Sequence, residues 1–345
     1  MLPVGKGARG SNYMEGTATV VKHTGSHYLL AQLPSWKLFP AVLRGKVRLK
    51  GSSATNPVAV GDRVEFHADG ELGADGCVPA SETAPAAITT ILPRRNYIIR
   101  KSVNLSRQAH IIAANVDRAF IVVTLAFPEV KLPFIDRLLV TCEVYGVKPV
   151  IVLNKIDIVD GFRDDFALVL ENFHHIYESA GYRILEVSAK TGKGVDELRR
   201  MCLEKSEDGN PGISLFSGVS GVGKSSLIKA VDPSLNPKTG IISEAHLQGK
   251  HTTTFYEMYP LCGGEACIID TPGIRGFGLV DLEPEEISLY FPEMLKASAD
   301  CRFTPCTHTH EPGCAVKAAV DDGTISQERY SSYLGMLEEY TKYRK

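Results

Sequence analysis

The segment ISLFSGVSGVGKSSLIKAV, residues 213–231, is the strongest indication of the fold in this sequence. It contains the pattern G-x-x-x-x-G-K-S from Gly218 to Ser225, after an apolar strand and before a helical pattern, as in a phosphate-binding loop. Its glycines allow a tight turn whose backbone N–H groups point at phosphate oxygens. Lys224 is expected to contact the β- and γ-phosphates, and Ser225 to bind Mg²⁺. The predicted phosphate-binding residues are Gly218, Val219, Ser220, Gly221, Val222, Gly223, Lys224, Ser225 and Ser226.

Two further segments indicate which base is bound. Asn154-Lys155-Ile156-Asp157 follows the apolar strand PVIVL, at the edge where α/β sheets bind ligands. The carboxylate of Asp157 can accept two hydrogen bonds from the ring N–H and exocyclic amine of guanine, a donor pair that adenine lacks. Asn154 can support the loop, and the stem of Lys155 can lie along the base. Ser188-Ala189-Lys190 can offer a backbone N–H to the guanine oxygen. Together these segments favour GTP over ATP.

Two segments after the phosphate loop predict its response to the third phosphate. Asp270-Thr271-Pro272-Gly273 follows the strand ACIID, so Asp270 is expected to hold Mg²⁺ through water and the Gly273 N–H to contact the γ-phosphate. His251-Thr252-Thr253-Thr254 lies between this segment and the phosphate loop. One of its hydroxyls, assigned to Thr253, is expected to bind Mg²⁺ only when GTP is present, which would make it a switch.

The chain divides into a leader and three regions, which predicts a multi-domain protein. Residues 1–13 lack periodicity and are expected to be a flexible leader. Residues 14–112 contain short strands (GTATVVK, HYLLAQL, KVRLK, DRVEFHA, AAITTIL), which predict a small barrel about the size of a five-stranded OB-fold. In residues 113–282 apolar runs alternate with helical patterns, which predicts a doubly wound α/β domain. Residues 283–345 are expected to be helical, ending in a long helix from Ser326 to Tyr343.

Three of the eight cysteines cluster near the C-terminus. The pattern Cys301-x4-Cys306-x-His308-x5-Cys314 supplies three thiolates and one imidazole, a closed tetrahedral set for structural Zn²⁺. His310 is a competing ligand. The other five cysteines are scattered, four of them in apolar stretches, which favours reduced core residues over disulfides.

The charge distribution is asymmetric although the net charge is only −2. Residues 1–112 hold 14 Lys and Arg against 7 Asp and Glu, and the remainder holds 24 against 33. A basic block on an acidic body favours RNA phosphate binding by the barrel, and a barrel that contacts only proteins is the alternative. The candidate RNA-binding side chains are Arg44, Lys46, Arg48, Lys50, Arg94, Arg95, Arg100 and Lys101, with Tyr97 as a stacking group.

The sequence has no sign of membrane association. No apolar run approaches the roughly 20 residues that span a bilayer, and the N-terminus lacks the apolar region of a signal peptide. The expected compartment is therefore the cytoplasm.

The order of the motifs is the most specific feature. The guanine segments at 154 and 188 precede the phosphate segments at 218, 252 and 270, which is a rotated order for a Ras-like GTPase and indicates circular permutation. With GVSGVGKSSL, HTTT, DTPGIRGFG and the cysteine cluster, the chain resembles the RsgA (YjeQ) family of circularly permuted GTPases. The resemblance implies an OB-fold, a permuted GTPase domain and a zinc-binding helical domain. It favours His308 over His310 as the zinc ligand.

The resemblance also implies a function. Members of the family act in maturation of the small ribosomal subunit, bind its rRNA, and hydrolyse GTP to GDP under stimulation by that subunit. We expect a monomer that leaves the subunit after hydrolysis. A nucleotide-gated RNA-binding scaffold without essential hydrolysis is the alternative. A permuted GTPase acting on the large subunit is a third hypothesis, against which the basic barrel and the zinc element count.

The motifs do not identify the group that positions the attacking water. Ile274 follows D-T-P-G where many GTPases have a glutamine, and an isoleucine cannot orient water. His251, beside the switch threonines, is the candidate catalytic residue because an imidazole can position or deprotonate water. A solvated loop histidine is the alternative, with rRNA or the neighbouring switch then positioning the water.

Overall fold

A computed structural model describes residues 4–6, 12–44, 57–73, 76–101, 109–235, 257–270 and 282–343. The strands are β1 Val4–Lys6, β2 Asn12–Thr24, β3 His27–Gln32, β4 Lys37–Leu43, β5 Arg63–Asp69, β6 Ala86–Ile91, β7 Tyr97–Lys101, β8 Ala109–Ala114, β9 Arg118–Val123, β10 Lys148–Leu153, β11 Ile184–Glu186, β12 Gly212–Ser217, β13 Glu257–Leu261 and β14 Ala266–Asp270. The α-helices are α1 Leu132–Val144, α2 Ile156–Gly161, α3 Arg163–Ser179, α4 Val195–Leu203, α5 Lys224–Val231, α6 Pro292–Ser298, α7 Ala315–Asp321 and α8 Gln327–Tyr343.

The chain forms two compact units, each built from three separate segments. The first comprises Met1–Asp117, Arg199–Phe216 and Asp232–Pro272. The second comprises Arg118–Leu198, Ser217–Val231 and Gly273–Lys345. The phosphate loop, the guanine segments and the cysteine cluster therefore all belong to the second unit.

Five strands of the first unit close into a barrel. β2 pairs with both β3 and β5, β3 pairs with β4, and β6 joins β4 in parallel and β5 in antiparallel fashion. Alternate residues point inward, as in β5, where Val64, Phe66 and Ala68 are buried between exposed or half-buried neighbours. The small closed barrel expected from the strand spacing is present.

One barrel strand differs from the sequence expectation. The segment KLFPAVL forms β4 although Pro40 lies within it, and a proline argues against a strand because it lacks an N–H donor. β6 pairs only with Ala41–Leu43, so Pro40 precedes the start of that pairing. The predicted strand KVRLK, residues 46–50, lies outside the described residues.

The rest of the first unit adds a ribbon and a short sheet. β7 and β8 form an antiparallel ribbon with an irregularity between Ile98 and Ile99. β12 and β14 run parallel, and β13 pairs antiparallel with β14. β13 also meets β2 at Glu257 and Lys22, whose side chains form an ion pair at 2.8 Å. β14 ends at Asp270, the first residue of the predicted segment Asp270-Thr271-Pro272-Gly273.

The second unit contains a parallel sheet of β9, β10 and β11. Leu153 of β10 lies opposite Val123 of β9 and Glu186 of β11, so the carboxyl ends of the three strands are level. The connections are helical, α1 between β9 and β10 and α2 with α3 between β10 and β11. This alternation confirms the predicted α/β arrangement for these strands, and it places the guanine segments at one edge of the sheet.

The described residues after 282 form helices joined by turns and loops, without a strand among them. Pro284–Tyr290 is a 3₁₀ helix with a capping box between Glu283 and Glu286, and α8 matches the predicted long helix. A compact core joins these helices to α1. Its main members are Val140, Ile287, Phe291, Met294, Val316, Ile325, Tyr333 and Met336.

A buried ion cluster ties α8 to α1 and α6. The Arg329 guanidinium of α8 donates to Asp136 of α1 at 2.8 Å and to Glu293 of α6 at 2.7 and 3.1 Å. The side chains of Arg329 and Asp136 are both fully buried. Burial would lower the pKa of Arg329, but the two carboxylates raise it above the ordinary value. Burial raises the pKa of Asp136, against the opposing effect of Arg329.

Among the described residues, no helix is both long enough and apolar enough to cross a membrane.

Candidate active site and metal centre

The phosphate loop requires glycine at two close approaches. A Cβ on Gly218 would lie 2.3 Å from the backbone oxygen of Val122, and a Cβ on Gly223 would lie 2.4 Å from Nδ2 of Asn154. Both glycines also have positive φ, 149° and 92°. The loop can therefore close tightly only with glycine at these positions. It leads directly into α5, whose first residues are Lys224 and Ser225.

Lys224 is held at the mouth of the loop. Its Nζ donates to the backbone oxygens of Gly218 and Val219, at 2.7 and 2.9 Å. The ammonium group is therefore positioned by the loop itself, where phosphate oxygens would be bound by the same loop. Ser225 lies beside it in the first turn of α5, the position from which a hydroxyl can bind Mg²⁺.

Asn154 connects the guanine segments to the phosphate loop. Its Nδ2 donates to the backbone oxygen of Val222 at 2.7 Å, and its Oδ1 accepts from the N–H of Ala189 at 3.3 Å. Only 3% of the side chain is exposed, so both bonds are shielded from water. The predicted supporting role of Asn154 therefore extends over three segments of the site, the two guanine segments and the phosphate loop.

Asp157 and Ser188 are joined directly. The Ser188 Oγ donates to Oδ1 of Asp157 at 2.6 Å and accepts from the N–H of Thr191 at 3.1 Å. This hydrogen bond fixes the carboxylate in the first turn of α2, at the carboxyl edge of the parallel sheet. The two segments that were predicted to recognise guanine are thus brought together by their side chains as well as by the sheet.

Lys155 occupies an unusual backbone conformation. Its φ and ψ of 62° and 33° are left-handed, a region that favours glycine or asparagine. Its Nζ donates to the backbone oxygen of Phe127, which extends the aliphatic stem across the edge of the site. The sequence motifs do not include the turn around Phe127. Its only signal in the sequence is the pair Phe127-Pro128 after an apolar strand.

Several predicted site residues cannot be placed. The switch residues His251 and Thr253, together with Gly273, lie outside the described residues. Asp270 ends β14, but only its backbone is described. The roles assigned to these four residues therefore stay predictions.

The cysteine cluster forms a compact donor set. One ligand atom from each of Cys301, Cys306, His308 and Cys314 lies within 4.8 Å of the other three. The sulfurs of Cys301 and Cys314 are 3.9 Å apart, close to the roughly 3.8 Å edge of a tetrahedron with Zn–S bonds of about 2.3 Å. Nδ1 of His308 lies 3.7 and 3.4 Å from these two sulfurs. The four residues fit a single metal ion.

The pKa shifts of two donors, Cys306 and His308, bear on metal binding. Burial raises the pKa of the Cys306 thiol to about 12, and the neighbouring Cys314 and Cys301 thiols add to the rise. A divalent cation would supply the charge that stabilises these thiolates. Burial lowers the pKa of His308, which favours the neutral imidazole that binds metals.

The surroundings distinguish the two histidines. His308 is 2% exposed, and its backbone oxygen accepts from the hydroxyl of Tyr330 at 2.6 Å. The exposed His310 instead contacts Thr309 through Nδ1 at 2.9 Å and does not belong to the donor set. This arrangement agrees with the choice of His308 over His310.

Further side chains hold the loop that contains the donors. The hydroxyl of Tyr333 donates to the backbone oxygen of Thr307 at 2.6 Å. The Glu311 carboxylate accepts from the N–H and hydroxyl of Thr307, at 2.7 and 2.6 Å, and from the N–H of Thr309 at 3.0 Å. Although burial opposes it, these donors lower the pKa of Glu311 to about 2. The contribution of the two tyrosines could not be predicted locally, because both lie on α8, outside the loop.

Two of the candidate RNA-binding arginines have other partners. Arg94 is largely buried and donates to both carboxylate oxygens of the buried Asp62 at 2.6 Å. Arg95 donates to Asp117 at 2.7 Å and to Ser206 at 2.7 Å. The structure does not support Arg94 as an RNA-binding side chain, because Asp62, 32 residues earlier, pairs with its guanidinium in a largely buried position. Arg44 and Tyr97 are exposed, as the expectation requires.

The rest of the basic set lies beyond what the structure describes. Lys46, Arg48 and Lys50 are outside the described residues, and the side chains of Arg100 and Lys101 are not described.

Comparison with known proteins agrees with this site. Residues 91–280 match the family model of the RsgA GTPase. The chain is 47% identical to the small ribosomal subunit biogenesis GTPase RsgA of Flavobacterium johnsoniae over 322 residues, 93% of each chain. It is also 47% identical to small ribosomal subunit biogenesis GTPase RsgA 2 of Bacteroides thetaiotaomicron, over 94% of this chain and 98% of the relative.

Solved structures show the same likeness. YjeQ from Thermotoga maritima superposes with a TM-score of 0.71 at 33% identity, covering 94% of this chain and 98% of that one. YloQ, a circularly permuted GTPase, superposes with a TM-score of 0.68 at 25% identity, covering 96% of each. The rotated motif order, the supported phosphate loop and the extent of these matches lead to one conclusion: the chain belongs to the RsgA GTPase family.

Proposed function

We propose that this GTPase acts on the small ribosomal subunit, assists its late maturation, and leaves it after hydrolysing GTP to GDP and phosphate. The observation that supports this most is the match over nine-tenths of the chain to relatives named for small ribosomal subunit biogenesis. Such a role goes with a cytoplasmic monomer, and the subunit is the partner that stimulates turnover.

The nucleotide is held by the residues assigned from the sequence. Asp157 and the backbone of Ser188–Lys190 recognise guanine, and Gly218–Ser226 binds the phosphates. The fixed pair of Asp157 and Ser188 and the bridge made by Asn154 support this assignment. Mg²⁺ with GTP would neutralise charge on the β- and γ-phosphates, with Ser225, Thr253 and Asp270 as its protein ligands. Gly273 completes the γ-phosphate contacts.

We assign the positioning of the attacking water to His251. The support is chemical: Ile274 has no polar atom for this task, and an imidazole does. His251→Ala should leave GTP affinity near the parental value and slow subunit-stimulated turnover by about 10²–10⁴-fold, the usual contribution of general acid–base catalysis. Parental turnover of this variant on the subunit would show that another group positions the water.

The domain organisation follows the same proposal. Residues 14–112 form an OB-fold for RNA, 113–282 the permuted GTPase domain, and 283–345 the zinc-binding helical domain. Within the predicted leader, residues 1–13, Val4–Lys6 pairs with β2 as a strand, so this part is not the flexible chain that was expected. The closed five-stranded barrel supports the first assignment, since a barrel of this size is a common oligonucleotide-binding fold. Arg44 and Tyr97 are the described side chains available for rRNA contacts.

The metal of the donor set is zinc. Three thiolates and one imidazole around a site of tetrahedral size are typical of structural Zn²⁺, and all four positions are filled by protein. The ion would stabilise the loop between α6 and α7 without taking part in hydrolysis. Metal analysis of the purified protein should give one zinc ion per chain.

One experiment separates the enzyme from the scaffold alternative. GTP turnover is measured with the chain alone, with small subunits and with large subunits, alongside co-sedimentation in GDP, GTP and a non-hydrolysable analogue. We expect small subunits alone to stimulate turnover and the analogue to retain the chain on them. Nucleotide-dependent binding without stimulation would favour the scaffold, and stimulation by large subunits would contradict the proposed partner.

A further inference from the structure

The turn between β9 and α1 borders both halves of the nucleotide site. The Lys155 Nζ donates to the backbone oxygen of Phe127, which places the turn beside the guanine segment. Pro128 follows, and its Cδ lies 3.5 Å from the position of a Cβ on Gly221, which places the same turn beside the phosphate loop. None of the sequence motifs includes these residues.

The turn is held by its own hydrogen bonds. The hydroxyl of Thr124 donates to the backbone oxygen of Pro128, and the N–H of Val130 donates to the backbone oxygen of Thr124 at 3.1 Å. Within this fixed turn Phe127 has a φ of 51°, uncommon for a bulky side chain. Its side chain is 75% exposed, although a phenyl ring in water is unfavourable. The ring is therefore accessible to a ligand that binds beside the turn.

The position of the turn limits what the ring can contact. In a bound nucleotide the base would lie against Asp157 and Lys155, and the phosphates against the loop that contains Gly221. The part of the ligand between base and phosphates is the ribose. The turn borders the guanine segment through Phe127 and the phosphate loop through Pro128, so it would lie beside the sugar.

We propose that Phe127 is a nucleoside-contacting residue whose ring packs on the ribose of bound GTP or GDP. This proposal rests on the nucleotide site proposed above and adds an apolar wall to it. Because GTP and GDP share the same ribose, the contact strengthens both equally. It raises affinity without distinguishing the two nucleotide states.

The test compares two truncations of Phe127 that differ in backbone preference. Phe127→Ala and Phe127→Gly both remove the ring, but glycine adopts a φ of 51° without cost. GDP and GTP affinities are measured by calorimetry. We expect both variants to bind each nucleotide about 5- to 20-fold more weakly, at the lower end of the roughly 5- to 150-fold loss that follows removal of an aromatic side chain stacked on a base. The ratio of GDP to GTP affinity should not change.

Leu168→Ala is the matched control. Leu168 is 77% exposed on α3, so its truncation also removes a large exposed apolar side chain. The Leu168→Ala variant should bind GDP and GTP with the affinities of the parent. If Phe127→Gly binds as tightly as the parent, the backbone of the turn and not the ring is what matters, and the proposal is overturned. Parental affinity of Phe127→Ala would overturn it as well.

A third variant reports on the contact directly. Trp36 is the sole tryptophan of the chain, so Phe127→Trp adds one new emission signal. We expect this variant to retain affinity within about threefold and its added emission to change when GDP binds. Unchanged emission at saturating GDP would contradict the proposal, even if the truncations failed to fold. A parent that does not bind GDP would instead contradict the nucleotide site.

Discussion

The nucleotide loops and the cysteine cluster both lie in the second unit, but they are stabilised differently. In the nucleotide site, protein groups already satisfy one another: Asn154 joins the phosphate loop to Ala189, and Ser188 fixes Asp157. In the cysteine cluster the donor atoms face each other, and burial and neighbouring thiols raise the pKa of Cys306 to about 12. The first site is organised by contacts within the protein, whereas the second is a set of donor atoms that could hold a metal ion.

This difference predicts whether a substitution at each site should change ligand binding or the stability of the protein. A substitution at the nucleotide site that preserves the internal hydrogen bonds should change ligand binding and leave stability intact. A substitution of a cysteine ligand should change stability, because the metal's binding free energy is also folding free energy. Paired measurements of unfolding and of GDP affinity test this contrast.

The largest effect is expected from loss of the metal. Chelation, or Cys306→Ser, should unfold the segment between α6 and α7, since structural zinc sites contribute about 10–16 kcal/mol of apparent binding energy. Circular dichroism should show a lower Tm and weaker cooperativity. GDP affinity of the remaining folded protein should stay within about threefold of the parental value. An unchanged Tm after verified metal removal would contradict the contrast.

Cys306→Ser should also abolish the dependence of small-subunit affinity on the bound nucleotide. Parent and Cys306→Ser are compared for small-subunit affinity with GDP and with a GTP analogue. The parent should prefer the subunit in its GTP form by about 5–150-fold, a coupling of roughly 1–3 kcal/mol, and the variant should show little preference. Equal parental affinities in the two states would rule out the switch.

A smaller loss of stability is expected at the buried ion cluster of Arg329, Asp136 and Glu293. Arg329→Met leaves the carboxylates of Asp136 and Glu293 buried without a cation, which costs about 3–5 kcal/mol. Arg137→Ala is the control, because its pair with Glu339 joins the same helices, α1 and α8, at a partly exposed position. The control should lose about 0–1 kcal/mol by urea unfolding. Similar losses for both variants would contradict the importance of burial.

The next largest effect on stability is expected at Asn154, which joins the phosphate loop to the guanine segment at Ala189. Asn154→Ala removes two buried hydrogen bonds and leaves the Val222 oxygen without a donor, which costs about 1–3 kcal/mol. We expect GDP affinity to fall together with stability. Asn154→Asp keeps the acceptor toward Ala189 but not the donor toward Val222, so it identifies which bond matters. A full loss of nucleotide binding at unchanged stability would indicate direct contact with the ligand instead.

The smallest effect on stability should come from Asp157→Asn. Asparagine keeps the oxygen that accepts from Ser188 and replaces the other oxygen with an amide. Stability should therefore change by less than about 0.5 kcal/mol, the usual range for substitutions that break no internal contact. Nucleotide preference should move from GTP toward XTP, as competition binding would show. Unchanged selectivity for GTP would remove Asp157 from the guanine site.

The sequence predicted features whose residues are close together along the chain. The phosphate loop occupies eight consecutive residues, and the cysteine ligands span fourteen, so spacing alone was informative. The same holds for α8, which the periodic pattern placed at its observed position. Local backbone rules govern such segments, and those rules are visible in the sequence.

Features that depend on distant partners were not predictable. Arg94 was a candidate RNA-binding side chain, but it pairs with Asp62 from another part of the chain in a largely buried position. No local pattern reveals that Asp136 and Arg329 meet, since 193 residues separate them. β4 was missed for a different reason: Pro40 argues against a strand unless the start of the neighbouring pairing is known.

The separation of Asp136 and Arg329 has a consequence for synthesis of the chain. Protein domains begin to fold from the N-terminal side while the chain is still being made. α1 emerges early, but the cation that compensates its buried carboxylate is supplied only 193 residues later, by the last helix. Until α8 arrives, Asp136 must stay hydrated or take up a proton, so α1 cannot complete its packing. A nascent chain therefore passes through a state whose final consolidation depends on the arrival of α8.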